Sequence, residues 1–239
     1  MRRATLPRRA KRQTGASLTE LLVGTAVGLS VVASTTTLSV QHLDQARRQA
    51  LDSRLQQDLR HAADLITREL RRSGHWGLAL EGAREAAADG SDAASPAAPP
   101  RNPYAAFTTD TEARVISFAL SREAVENSTL DRADRSGFRW NRADRSLQML
   151  TPSGAWHTLT DPAVSVFDGD GFALSTRVTQ QPAPEACAEG CTGLDCPQVS
   201  QRTVTLVLRA RSARDAQVQR ELRTQVQLRN DVVTGQCPA

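Results

Sequence analysis

The chain is 239 residues long and 39% hydrophobic, with 14 glycines. That suits one ordinary domain plus a long helix, is short for two domains, and excludes wholesale disorder. Aromatic residues make up only 4%, too few for the stacking platforms of single-strand nucleic-acid binders. The formal charge of +4 is local, because residues 1–15 hold Arg2, Arg3, Arg8, Arg9, Lys11 and Arg12 with no acid, leaving 24 basic against 26 acidic side chains beyond them; no nucleic-acid partner is expected.

Residues 21–43 follow the basic arm without a single charge. As a helix they rise roughly 34 Å, enough to cross a bilayer core of about 30 Å. Thr25, Ser30, Ser34, Thr35, Thr36, Thr37 and Ser39 interrupt the leucines and valines and keep the hydropathy modest. The positive-inside rule leaves the arm in the cytoplasm and sends the C-terminal body across the membrane. An ordinary secretory signal has its cleavage site after the apolar stretch. Here Gly15 stands before it, and a cut there keeps the helix. Glu20 is a carboxylate one turn into an apolar segment, a placement that costs a few kcal/mol unless a partner meets it. A cut after Gly15 would free the amino group of Ala16, four residues away, and a neighbouring subunit's amine is a second candidate.

Gly15, Leu18, Glu20, Leu21, Leu22 and Val23 resemble the class III leader of type IV prepilins and type II secretion pseudopilins. The resemblance implies that a prepilin peptidase of the inner membrane cuts after Gly15 and methylates the new N-terminus at Ala16. It also implies that Glu20 serves subunit packing in a filament. Ala16 departs from the pattern, since the family usually has phenylalanine there.

Leu51, Leu55, Leu59, Ala62, Ile66 and Leu70 recur every three or four residues, the stripe of an amphipathic helix. Arg71 and Arg72 suit its C-terminal dipole, and Gly74 is a natural stop. The domain reading is therefore a cleaved basic leader over residues 1–15, a transmembrane helical part over 16–43, an amphipathic half over 44–74, and a β-rich periplasmic body over 75–239. Residues 80–101 are rich in Ala, Gly, Ser, Asp and Pro and closed by Pro96, Pro99 and Pro100, so a surface loop is expected there, within a loop region drawn over 80–113. Strands of one antiparallel sheet are expected at residues 115–120, 137–141, 147–150, 156–159, 164–167, 172–178, 204–210 and 222–228. Asp168-Gly169-Asp170-Gly171 reads as a tight turn between two of them, and lacks the remaining ligands of a calcium loop. The fold class expected is α+β and pilin-like, a long N-terminal helix packed on an antiparallel sheet.

Residues 65–77, Leu159-Thr160-Asp161-Pro162, Ala210-Arg211-Ser212 and Arg229-Asn230-Asp231 resemble the PilW family of minor pilins. That resemblance implies an ancillary subunit that initiates or caps a type IV pilus with other minor pilins and the major pilin. The J-type minor pseudopilin of type II secretion shares the leader and the general plan.

Cys187, Cys191, Cys196 and Cys237 have spacings unlike a matched zinc knuckle pair. In an exported body an even count points to two disulfides, with zinc or free thiols as the alternatives and the pairing open. A bridge from the 187–196 cysteine loop to Cys237, with a small local bridge beside it, would tie down a segment that has few large apolar residues. His157 and Asp161 raise a Ser-His-Asp hydrolase as the rival class, a signal-anchored periplasmic enzyme, yet no G-x-S-x-G elbow is present. No catalytic residue, metal or cofactor is expected.

Overall fold

The computed structural model describes residue 15 and residues 17–79, 102–183, 191–192, 196–230 and 232–234. One helix, α1, runs from Leu18 to Arg72. Its residues divide between two compact units, the first ending at Arg47 and the second running from Arg48 onward. In the first unit every described side chain of the helix is exposed. In the second, Leu51, Leu55, Leu59, Ala62, Ala63, Ile66 and Leu70 are buried, the stripe that the three-and-four spacing predicts.

Nine strands accompany the helix among the described residues, and all are paired antiparallel. β1 (Phe107–Asp110), β2 (Val115–Ala119), β3 (Arg135–Asn141), β4 (Ser146–Leu150) and β5 (Trp156–Thr158) form a meander in that order. β6 (Ser165–Pro182), β7 (Gln198–Ser212) and β8 (Gln219–Gln227) form a second sheet in chain order, and β9 (Val232–Thr234) pairs with β7 beyond the end of β8. Asp110 ends β1 by accepting the main-chain N–H groups of Glu112 and Ala113 at 3.0 and 2.8 Å. Arg114, at φ 53°, then turns the chain back into β2.

The core lies between the helix and the inner faces of both sheets. Leu55, Leu59, Ile66 and Leu70 meet Ile116, Phe118, Phe138 and Leu147 of the first sheet and Phe167, Phe172, Val204, Leu206 and Leu208 of the second in one cluster. Each fully buried side chain of this kind contributes roughly 1.5–3 kcal/mol, so the helix is held by tertiary packing. In β7 the period of two is plain, with Val204, Leu206, Leu208 and Ala210 inward and Arg209 outward.

The strand expectations change in three places. The body has two sheets, not one. β1 and β9 were not expected as strands, and β1 lies inside the stretch 80–113 read as loop. The Asp-Gly-Asp-Gly segment makes no turn between strands. It is an irregularity between Phe167 and Phe172 inside the single strand β6. The reason is steric and electrostatic: any Cβ on Gly171 would collide with the carbonyl of Arg209, so the absence of a side chain lets the bulge lie against β7. Its carboxylates turn outward to arginines, Asp168 to Arg145 and Arg211, and Asp170 to Arg114 at 2.7 Å.

Gly137 shows the same dependence in the first sheet. A Cβ there would strike the carbonyl oxygen of Ile116 and lie 3.5 Å from the Trp156 ring, and the Arg139 guanidinium stacks on that ring 4.4 Å from its centre. Gly137→Ala is expected to destabilise the body by about 1–3 kcal/mol. Thermal unfolding of the detergent-solubilised chain, followed by near-ultraviolet circular dichroism, should show a midpoint lower by roughly 2–10 °C. An unchanged midpoint would contradict the close packing described.

Candidate functional site: the N-terminal helix and its clamp

The helix start is built from backbone and short polar side chains. Gly15 is exposed, and a Cβ added there would meet nothing within 4 Å among the described residues; Ala16 lies outside them. The main-chain carbonyl of Ser17 accepts the N–H of Leu21 at 3.0 Å, which makes Ser17 the residue that caps the helix. Its hydroxyl pairs with that of Thr19 at 2.8 Å. Glu20 lies three residues after Ser17, in the first turn, where a negative charge is favoured by the unpaired N–H groups of the helix end. The serine-to-glutamate spacing is that of a capping box. Sequence reading by charge placement alone missed this.

The helix has a mean hydropathy of 1.7 over its best 18-residue window, none of that window buried. Leu21, Leu22, Val23, Val27, Leu29, Val31, Val32, Leu38, Val40 and Leu43 are all more than half exposed. The seven hydroxyl residues that dilute the apolar run are each satisfied within the helix. Thr25 donates to the carbonyl of Leu22, Ser30 to Ala26, Ser34 to Ser30, Thr35 and Thr36 to Val32, Thr37 to Ser34, and Ser39 to Thr35, at 2.7–2.9 Å. Hydroxyl donors bonded this way need no water. The segment is therefore better suited to a hydrocarbon environment than its composition suggests.

At its other end the helix stops at Gly74, whose φ of 72° is the left-handed conformation that favours glycine. Three distant segments close on that stop. Asn230 donates through Nδ2 to the carbonyl of Ser73 at 2.7 Å, and Asn102 does the same to Gly74 at 2.8 Å. The N–H of Gly74 bonds the carbonyl of Ala119 at 2.7 Å. Arg202 ties the outer pieces together, donating to the carbonyls of Ala105 and Asn230. The carbonyls of the two residues that follow the last helical turn are thus met by asparagine amides.

The next residues continue the clamp. Trp76 donates through its indole N–H to Ser128 Oγ at 3.1 Å, and the amide of Gly77 bonds a Glu126 carboxylate oxygen at 3.0 Å. Tyr104, fully buried, donates to the other Glu126 oxygen at 2.8 Å. Burial alone would raise the Glu126 carboxyl, but hydrogen bonds from Ser121, the Gly77 amide, Tyr104 and the Ser128 amide outweigh it and push the pKa down to about 2. Burial, with the Glu126 bond and its charge, pushes Tyr104 up to about 12.

A second polar cluster lies midway along the buried half. Asp58 accepts the hydroxyl proton of Ser165 at the start of β6. Burial raises its carboxyl above the ordinary range. The Ser165 bond opposes this, the charge of Asp161 adds to it, and the Asp161 amide and His61 oppose it. The neighbouring Thr160 hydroxyl accepts the Leu147 N–H at 3.0 Å, and Asp161 caps the N–H of Ala163 at 2.8 Å. His157 is exposed on β5, so the structure gives Asp161 a turn-capping role and does not join the two as a dyad.

Cys191 and Cys196 are bonded to each other, and Cys196 is buried, with its carbonyl accepting the Gln198 side-chain amide at 3.1 Å. Cys187 and Cys237 lie outside the described residues.

Among known protein families, the model described as PpdB, prepilin peptidase-dependent protein B, matches residues 48–228. The chain belongs to the PpdB family. No curated protein and no solved structure matches it. The PpdB match begins at Arg48, after the apolar run, and ends at Leu228, so it covers the amphipathic half of the helix and most of the β-rich body. The match does not extend to residues 15–20. Within residues 48–228 lie the Asp58 cluster and all of the clamp except Asn230.

Asp58 gives the PpdB body a measurable pH signature. Its pKa is raised in the folded state, so its favourable contribution is complete below the ordinary carboxylate value of 3.8 and is lost as pH rises through the raised folded value. Asp58→Asn removes the buried charge while keeping an acceptor for Ser165. The variant is expected to melt higher than the wild type at pH 7, with the difference shrinking toward zero by about pH 3. A difference that holds constant over this range, measured by thermal unfolding, would remove Asp58 from the account.

Proposed function

We propose that this PpdB-family chain is a non-catalytic minor pilin that takes part in type IV pilus assembly, as an initiation or tip subunit alongside other minor pilins and the major pilin. In this reading prepilin peptidase cuts after Gly15 and methylates Ala16. The mature chain stays in the inner membrane by the helix of residues 16–43, with its body in the periplasm, until it enters the pilus. The observation that carries the reading is the conjunction of a PpdB body at 48–228 with a class III leader directly in front of the apolar helix. The exposed helix with internally satisfied hydroxyls supports it, since such a surface needs lipid or other helices around it. The likeness of residues 65–77 and 229–231 to PilW supports a pilus over a secretion pseudopilus. A J-type minor pseudopilin is the second reading, supported by the leader, which both systems share.

The test separates cleavage from assembly. Gly15→Leu is expected to leave a slower-migrating, uncut form in the inner membrane, because a side chain obstructs approach of the peptidase to the backbone. Glu20→Ala is expected to be cut normally yet fail to support piliation, since its partner amine exists only after the cut. Intact-mass analysis of the membrane-extracted protein reads the first outcome, with the wild type beginning at a methylated Ala16. Normal processing of Gly15→Leu overturns the leader. Wild-type pilus numbers with Glu20→Ala overturn the pairing role.

A further inference from the structure

β6 is 18 residues long, and its two halves have different surroundings. The first half is covered: the carbonyl of Phe167 accepts the Trp140 indole N–H at 3.1 Å, and the N–H of Phe167 bonds the carbonyl of Arg145 at 2.8 Å. Beyond Leu174 the strand pairs on one side only, with β7, and every residue from 175 to 182 is exposed. β7 itself is backed by β9. The outer edge of residues 175–181 is therefore a run of main-chain donors and acceptors with no partner among the described residues.

Sheet edges are normally blunted by proline, a bulge, inward charges or short length. This one has none of those devices. Its sequence, Ser-Thr-Arg-Val-Thr-Gln-Gln, is rich in β-branched residues and holds one charge, and the first proline is Pro182, past its end. The edge is also held in place. The amide of Ala183 bonds the carbonyl of Pro197 at 2.9 Å, next to the bonded pair Cys191–Cys196, so the strand is ordered before any partner arrives.

We infer that residues 175–181 are a strand-pairing surface for a second copy of this chain. The sequence is self-complementary about Val178. A two-fold axis there pairs Val178 with itself, Arg177 with Thr179, Thr176 with Gln180, and Ser175 with Gln181, and no like charges oppose one another. Val178 is 53% exposed, and it and Val125 are the only large hydrophobic side chains so exposed outside the N-terminal helix among the described residues. The symmetric pairing covers it with its own image. An isologous contact of this kind closes at two copies. Seven residue pairs fall short of the roughly 1,200 Å² of a stable interface, so the pairing belongs to chains held at high local concentration in a membrane. The inference rests on the edge of the body and stands whether or not the leader is cut.

The experiment uses the full chain in membranes, with two epitope-tagged copies expressed together and p-benzoylphenylalanine in place of Gln180. Illumination is expected to give an adduct of twice the monomer mass carrying both tags. Val178→Asp in both copies sets two carboxylates opposite each other and is expected to cut the adduct at least tenfold, as is Val178→Lys. One copy with Val178→Asp and the other with Val178→Lys is expected to restore it. Val178 is exposed, so each single variant should keep the wild-type melting midpoint. An adduct to a different protein, no adduct at all, or failure of the mixed pair to restore it overturns the inference.

Discussion

Burial of Leu55, Leu59, Ile66 and Leu70 holds together two sheets that share no strand. The sheets meet each other at a seam where β6 passes β3 and β4, through the Phe167 main chain, Trp140 and Arg145. Their apolar faces close only because one helix fills the space between them. Removing a leucine from the middle of such a stripe leaves a cavity facing both sheets, and losses of that type run to about 2–5 kcal/mol. The helix is thus the central element of the body's core.

A helix in that role must end at a fixed place, and here polar groups decide where. Gly74 supplies the backbone conformation, Asn102 and Asn230 meet the carbonyls of Gly74 and Ser73 just past the helix, and Arg202 joins the segments that carry them. Each such bond contributes on the order of 1 kcal/mol net. Leaving those carbonyls unmet beneath Asn230 would cost more than the bonds contribute, because the groups are partly buried. Glu126 extends the arrangement by drawing together Gly77, Tyr104 and Ser128. Its low pKa means that this junction keeps its negative charge, and the stability that goes with it, above the ordinary carboxylate range, and loses it only as pH falls toward about 2.

The helix was legible because Leu51 through Leu70 repeat at its own period, and β7 because Val204, Leu206 and Leu208 alternate. Where elements were missed, the local signal pointed elsewhere. β1 reads Phe-Thr-Thr-Asp and exposes three of its four residues, so little hydrophobic pattern marks it. Asp-Gly-Asp-Gly carries the composition of a turn, but a bulge uses the same residues, and only the carbonyl of Arg209 across the ladder distinguishes the two. The clamp was invisible for a different reason: Asn102 and Asn230 act through side-chain bonds to a backbone far away in sequence, and such bonds have no period. Its components were noticed as a resemblance, in Ser73-Gly74-His75-Trp76-Gly77 and Arg229-Asn230-Asp231, without the chemistry that joins them. Four cysteines suggested bridges, but choosing Cys191 for Cys196 required coordinates.

The hydroxyls of residues 25–39 also bear on what the apolar segment can pack against. Each donor is already matched to a carbonyl one turn back, so exchanging lipid tails for the side chains of neighbouring helices breaks no hydrogen bond and makes none obligatory. The free-energy difference between two such environments would then be set by dispersion and shape. The same short side chains keep the helix surface low, so another helix backbone could approach it closely.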